Sequence, residues 1–419
     1  MVIETSFYNY ARISIIMLVL EYKLVAKLPQ EQCIGEAIRT VQFIRNKALR
    51  LWMDTGARQY DLNKYCAVLA KEYPFAASLN SQARQAAAER AAYGIGRYLK
   101  ADKSGKRLRK PKFQKDNRSV EYKTTGWKLS EDRKRITFTD GSGIGEVKLL
   151  GTQDLGTQDL CAYDLSLIKR VRIVRKADLF FVQFCVDVDR SEPTELTGRM
   201  VGLDMGLSAF YTDSDGQKVD CPKFLRKAEK RLKREQRRLS RKQKGSNNRR
   251  SKNYDKARVK VSRRHLKVSR QRKDFAIKTA RCVVKSSDFV ALEDLQVRNL
   301  VKNRHLSKSI HDAAWSQFGN WLSYFGQVFG KPVVKVPPAY TSQDCSSCGN
   351  RVRKSLSERT HVCQCGCVLD RDENAARNIL RLGLAHIEAN CTAGHAETGE
   401  GSPSETLAES VPLLSAHAE

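Results

Sequence analysis

YTSQDCSSCGNRVRKSLSERTHVCQCGCVLDRDENAARNIL, residues 340 to 380, carries two pieces of chemistry end to end. Cys345 and Cys348 form a Cys-x2-Cys pair, and after a basic loop Cys363 and Cys365 form a second, tighter one. Two close thiol pairs separated by a loop suit tetrahedral Zn²⁺, because each pair supplies two sulfurs from one side of the ion. The shortened second pair leaves Cys367 as an alternative to either of its members. Directly afterwards, Asp370 and Asp372 precede Asn374, Ala375, Ala376, Ile379 and Leu380, whose spacing predicts an amphipathic helix. A carboxylate in the first turn of a helix is held firmly enough to be aimed at a metal. Such a carboxylate needs acidic partners from elsewhere in the chain.

Two candidates stand at strand ends. In RMVGLDMGLSAF, residues 199 to 210, Val201 and Leu203 alternate with Gly202 and Asp204. A strand there turns its apolar side inward and delivers Asp204 on the opposite face. Phe289 to Leu292 is a short apolar strand ending in Glu293 and Asp294, of which at most one can look into a common site. Asp204, Glu293 and Asp372 thus offer carboxylates from two strands and a helix. Two Mg²⁺ about 4 Å apart, bracketing the attacking and leaving oxygens of a phosphodiester, require acidic oxygens from separate elements. The seven His are scattered and form no nucleophilic triad; His265 and His311 read as surface or phosphate contacts.

Composition narrows the partners. The chain has 419 residues, with 76 Lys+Arg against 46 Asp+Glu, a formal charge of +30. An excess of that size points to nucleic acid, whose phosphates it neutralises, and away from a membrane. Of the 12 Cys, five crowd between Cys345 and Cys367 while the others are scattered singly. That pattern expects a reducing, cytoplasmic compartment and one metal site rather than a disulfide framework. The apolar run Ile13 to Leu20 is too short to span a bilayer, and no small-residue cleavage site follows it. Met17 stands where a compact domain would begin, so residues 1 to 16 read as an extension.

Along the chain, Leu18 to Ala26 predicts a first strand. Ile34, Ile38, Val41, Ile44, Ala48 and Trp52 then recur at helical spacing over 29 to 54, and further helices are expected at about 62 to 72 and 81 to 99. A basic linker, 103 to 118, leads into strands at 120–123, 135–138, 147–150, 168–174 and 180–188, interrupted by a GTQDL duplication at 151 to 160. Residues 223 to 281 are overwhelmingly basic, with Leu225, Leu232 and Leu239 seven apart and a break at GSNN, 245 to 248. That pattern predicts a cationic helical hairpin. Arg241, Lys242, Lys244, Arg249 and Arg250 flank its tip and are the candidate nucleic-acid contacts. A helix at 315 to 329 and a strand at 333 to 336 follow, and the acidic segment from 386 to 419 reads as a disordered tail. Trp52, Tyr98 and Trp127 read as core rather than as base-stacking platforms.

VGLDMGLSAF, ALEDLQ and YTSQDCSSCG with DRDENAARNIL, in that order, resemble the three RuvC motifs and zinc ribbon of TnpB proteins, the transposon-encoded OrfB nucleases related to type V CRISPR effectors. Upstream, LEYKLVAKLPQEQ, VQFIRNKALRLW and RKPKFQKDNRSVEY are similar to the family's N-terminal parts, so the likeness spans about residues 17 to 382. It implies an α/β multidomain chain: an extension and first wedge strand (1–28), a helical recognition domain (29–105), a β-rich wedge (106–197), an RNase H-like RuvC domain (198–341), an inserted zinc ribbon (342–366), the end of RuvC (367–385) and the tail. It also implies RNA-guided, Mg²⁺-dependent cleavage of double-stranded DNA, with a guide RNA from the transposon end and a structural Zn²⁺.

Carried over by position, the catalytic set is Asp204, Glu293 and Asp372. The family pattern prefers the Asp two residues before Asn-Ala-Ala, which makes Asp372 the third acid and its rival Asp370 a helix cap. The family's second cysteine pair is Cys-x2-Cys, and Cys363-Gln-Cys365 departs from it. Two other functions fit the scaffold. A nucleic-acid-binding repressor would have lost one of the acids, and all three are present; a transposase would join DNA without RNA.

Overall fold

A computed structural model describes residues 18–100, 109–151, 160–192, 194–242, 251–355 and 357–394. The chain opens with β1 (Leu18–Val25), passes through helices α1 (Leu28–Thr55), α2 (Gln59–Glu72) and α3 (Ser81–Leu99), and returns as six strands. These are β2 (Ser119–Tyr122), β3 (Trp127–Leu129), β4 (Arg135–Phe138), β5 (Gly145–Gly151), β6 (Ile168–Lys176) and β7 (Leu179–Val186). All seven strands join in one antiparallel sheet, ordered β2-β6-β7-β1-β5-β4-β3, so the three helices are an insertion after its central strand. The stripe Ile34, Ile38, Val41, Ile44 and Ala48 is buried, and Gly56 ends α1 in the left-handed conformation at φ 71°. Buried alanines 83, 87 and 91 let α3 approach its neighbours closely, and helices and sheet share one core that Trp52 and Trp127 flank partly buried.

A second sheet follows: β8 (Met200–Asp204), β9 (Ala209–Asp213), β10 (Lys218–Asp220), β11 (Phe289–Glu293) and β12 (Val333–Val336), in the order β10-β9-β8-β11-β12. The first three pair antiparallel, whereas β11 lies parallel to both β8 and β12. Between β10 and β11 run the two basic helices α4 (Phe224–Arg241) and α5 (Lys252–Lys285). Between β11 and β12 lie α6 (Arg304–Ala313) and α7 (Trp315–Phe329). Val201, Leu203, Val290 and Leu292 turn one sheet face toward Phe318, Leu322 and Phe325 of α7. After the small hairpin β13 (Thr360–Val362) and β14 (Val368–Asp370), the last helix α8 (Arg371–Gly394) packs Ile379 and Ile387 against Phe289, Ala291, Val334 and Val336 on the other face. Both faces of the parallel strands are therefore covered, as parallel pairing demands.

Residues 386–394, expected to belong to the tail, are helical, and residues 395–419 lie outside the described residues. Ile387 continues the spacing of Ile379 and is buried against the sheet, so α8 runs on to Gly394. The extension 1–16, the hairpin break at 245–248 and most of the GTQDL duplication lie outside the described residues. Among the described residues, no helix is long and apolar enough to cross a membrane.

Candidate active site

Three local features bring the acids together. Phe289 lies opposite Met200 and Leu292 opposite Leu203 in the parallel ladder, so one further step sets Glu293 beside Asp204 at the strands' carboxyl ends. Gly202 allows the third element in: a Cβ there would stand 2.1 Å from the Ala376 carbonyl oxygen and 2.7 Å from the Leu380 nitrogen. Helix α8 thus lies directly on β8, and Asp372, one turn before Ala376, reaches the same end of the sheet. The expectation that Asp204 faces away from the apolar side holds, but that face is covered by the helix rather than by solvent.

The electrostatics record the convergence. Burial, then the charges of Glu293 and Asp372, push the Asp204 carboxyl up to about 8, against the opposing pull of Arg371. Burial also raises Glu293, which is opposed by the Thr341 hydroxyl donating to its Oε1 over 2.6 Å. Asp294, the next residue, is exposed, so one acid of the pair looks inward, as strand alternation requires. Asp370 has a different task. Its Oδ1 accepts the backbone N–H groups of Asp372 (2.9 Å) and Glu373 (3.4 Å), which caps α8, and Lys218 donates to its Oδ2 over 2.8 Å. Burial opposes ionisation of Asp370, but Lys218 and these amides prevail and lower its pKa. Arg359 of the ribbon loop approaches Asp372 at 3.9 Å.

Burial first and mutual repulsion second oppose ionisation of this acid set, and divalent cations, which offset both, fit its carboxylates. Its oxygens are spread more widely than the ligands of a single ion. Among the described residues, the only groups with three or more ligand atoms within 4.8 Å of one another are centred on thiols.

Cys345, Cys348, Cys363 and Cys365 form the first of those groups, with Sγ–Sγ separations of 3.7 Å for Cys345–Cys365 and 3.5 Å for Cys348–Cys363. A tetrahedron with Zn–S bonds of about 2.3 Å has edges of about 3.8 Å, so the set fits zinc, and the shortened pair still delivers both sulfurs. Burial works against the Cys345 thiolate, but the amides of Cys348 and Ser347 hold its pKa below the usual thiol value. Cys367 belongs to a second grouping with Cys345 and the fully buried His361.

Arg241 and Lys242 are exposed at the end of α4, whereas Lys244, Arg249 and Arg250 lie outside the described residues. Lys233, Gln236, Arg237, Ser240 and Arg241 line an open groove of about 510 Å³ on α4. Sequence reasoning overlooked Thr341, Asn378 and His361, and it gave Asn374 no bonding role. A signal for the asparagines existed: two amides on the apolar side of a helix have to be paired once buried.

The chain is similar to known proteins over most of its length. The OrfB_IS605 family profile, "Probable transposase", matches residues 183–304, and the Cas12f1-like TNB domain profile matches residues 315–379. A Streptomyces pristinaespiralis protein named "Putative RNA-guided DNA endonuclease" is 40% identical over 212 residues, covering 50% of this chain and 51% of that protein. The chain thus spans about half the length of that relative. The Escherichia coli K12 protein "Putative RNA-guided DNA endonuclease InsQ" is 30% identical over 298 residues, covering 67% of this chain and 70% of that protein. In fold, the chain resembles the protein of a Cas12f1–sgRNA–target DNA complex, with a TM-score of 0.52 at 14% identity over 84% of this chain and 83% of that one. On its match to the Escherichia coli relative, the chain belongs to the transposon-encoded OrfB family, the TnpB proteins.

Proposed function

We propose that the chain is an RNA-guided, Mg²⁺-dependent DNA endonuclease encoded by a transposon, cutting target DNA matched to its guide by two-metal phosphodiester hydrolysis. The observation that carries this reading is the meeting of Asp204, Glu293 and Asp372 at one end of a sheet, in a chain of charge +30. The named relatives and the Cas12f1 complex support guide RNA and target DNA as partners. Asp204, Glu293 and Asp372 would hold Mg²⁺, which when bound activates the attacking water and stabilises the departing 3′ oxygen. Two ions about 4 Å apart call for acids spread more widely than a single coordination shell, which suits this looser set. Parallel strands and a capped helix hold the three carboxylates in place before substrate arrives.

Cys345, Cys348, Cys363 and Cys365 would hold a Zn²⁺ that closes the ribbon. Four protein ligands leave that ion no open position, so it is assigned a structural role. Residues 198–341 and 367–385 act as the RuvC unit, 342–366 as the ribbon, 29–105 as the recognition insertion and 106–197 as the wedge. Pairing reads the sequence while cationic surfaces such as the α4 groove track phosphates in the bacterial nucleoid.

The test is purification with co-expressed flanking transposon RNA, followed by addition of matched duplex DNA and Mg²⁺. Cleavage that RNase pretreatment and Asp204→Ala both abolish is the expected result. An RNA-loaded protein that never cuts matched duplex overturns the proposal, and joining activity that survives RNase favours the transposase reading.

A further inference from the structure

The geometry points to Thr341 as a positioning residue of the nuclease centre: its hydroxyl sets the orientation of the Glu293 carboxylate, and its own place is fixed by the root of the zinc ribbon. This rests on the nuclease reading above.

Thr341 and Glu293 are both buried, at 5% and 8% exposure, and the Oγ1–Oε1 distance of 2.6 Å lies in the range of a charge-assisted O–H···O⁻ bond. The alternative acceptor for this hydroxyl, the Pro338 carbonyl, is 3.5 Å away, so the hydroxyl donates to Glu293. With Oε1 engaged, the second oxygen of Glu293 is the one left for a cation. An untethered glutamate has three rotatable bonds, and at a strand end only a partner of this kind selects one rotamer.

Thr341 is itself anchored. Its backbone carbonyl accepts from Asn378 Nδ2 at 2.9 Å, and the same amide donates to the Asp344 carbonyl at 2.7 Å. Asn374 Nδ2 donates to that Asp344 carbonyl as well, at 2.8 Å, while its Oδ1 accepts from the Ser346 amide at 2.9 Å. Both asparagines are almost wholly buried, at 0% and 1% exposure, on the helix that carries Asp372. Asp344 and Ser346 flank Cys345, the first cysteine of the ribbon. The network therefore joins three parts: the ribbon knuckle, the helix bearing one acid, and the hydroxyl that aims another. A buried amide is costly unless paired, and here both Nδ2 groups donate to the ribbon's root, while Asn378 Oδ1 accepts from Arg381 of the same helix at 3.3 Å.

The experiment uses the RNA-loaded full chain and follows Mn²⁺ binding by the loss of the free-ion electron paramagnetic resonance signal, with thermal unfolding and the Mg²⁺ dependence of cleavage alongside. Thr341→Val keeps the shape and removes the hydroxyl. It is expected to weaken Mn²⁺ binding roughly 10- to 100-fold, as loss of a partner behind a metal ligand does. Thr341→Ser is expected to restore binding to within about 3-fold. Thr341→Ala is run in parallel so that the comparison does not depend on how one side chain packs. In a Glu293→Gln background, Thr341→Val should add less than about 2-fold, because the two residues act as one unit. Equal losses in both backgrounds, or wild-type Mn²⁺ affinity in Thr341→Val, overturn the assignment. Mn²⁺ binding that responds as expected in a protein that never cuts DNA would sink the nuclease reading and leave Thr341 in its positioning role.

Discussion

The carbonyl oxygen of Ala376 lies 2.1 Å from the place a Cβ on Gly202 would occupy. Strand β8 and helix α8 touch backbone to backbone there, and the touch brings Asp372 near enough for its charge to act on Asp204.

Gly202→Ala is accordingly expected to destabilise the protein by about 3 kcal/mol or more, the upper range for overpacking against atoms that cannot move aside. Gly96→Ala, in helix α3 with nothing within 4 Å of the added atom, serves as the control. It should leave stability unchanged or raise it by about 0.5 kcal/mol. Denaturant titration of both variants checks the contrast.

Proton linkage at Asp204 supplies a second prediction. Its carboxyl sits at about 8 rather than 3.8, so between those values the folded chain keeps a proton that the unfolded chain has released. Stability contributed by this group is present at the acid end of that window and is lost as pH rises through 8. In Mg²⁺-free buffer the melting temperature should fall from pH 6 to about pH 8.5. Asp204→Asn should flatten the fall, and added Mg²⁺ should reduce it by neutralising the ionised form.

Asp370 and Asp372 should separate cleanly. Asp372→Ala is expected to abolish cleavage while leaving RNA binding intact. Asp370→Ala removes the cap on α8, a loss of about 1 kcal/mol in stability, and should slow cleavage without abolishing it. Single-turnover cleavage beside an unfolding curve distinguishes the two.

Metal analysis by mass spectrometry tests the ribbon. Serine at any one of Cys345, Cys348, Cys363 or Cys365 should sharply reduce bound zinc, since each supplies a quarter of the tetrahedral set. Cys367→Ser should retain about one zinc per chain, because its sulfur stands outside that set. Loss of zinc in Cys367→Ser alone would reassign the fourth ligand.

Nucleic-acid binding should weaken steeply with salt. Replacing Arg237 and Arg241 by Ala removes two cations from the α4 groove. The log–log salt slope should become shallower by about 1.4 to 1.8 if both contact phosphates, at 0.7 to 0.9 per contact.

Much of this was legible in the linear chain, and for identifiable reasons. Helix α1 declares itself because Ile34, Ile38, Val41 and Ile44 follow the helical repeat, and α7 and β12 emerge at 315–329 and 333–336 because apolar runs carry their own period. Strands β3, β9 and β10 escaped notice: β3 and β10 are three residues long, and β9 is buried at every position and so shows no alternation. The cysteine spacing and the order of the three acidic motifs were readable because one ligand knuckle, or one strand end, is a local object. The motif already preferred Asp372 as the third acid and Asp370 as the cap, whereas that Gly202 lies against a helix backbone and that Thr341 aims Glu293 were decided only by tertiary structure. Those relations join residues far apart along the chain, and close approach between distant segments depends on the register and packing of whole elements rather than on the composition of any one of them.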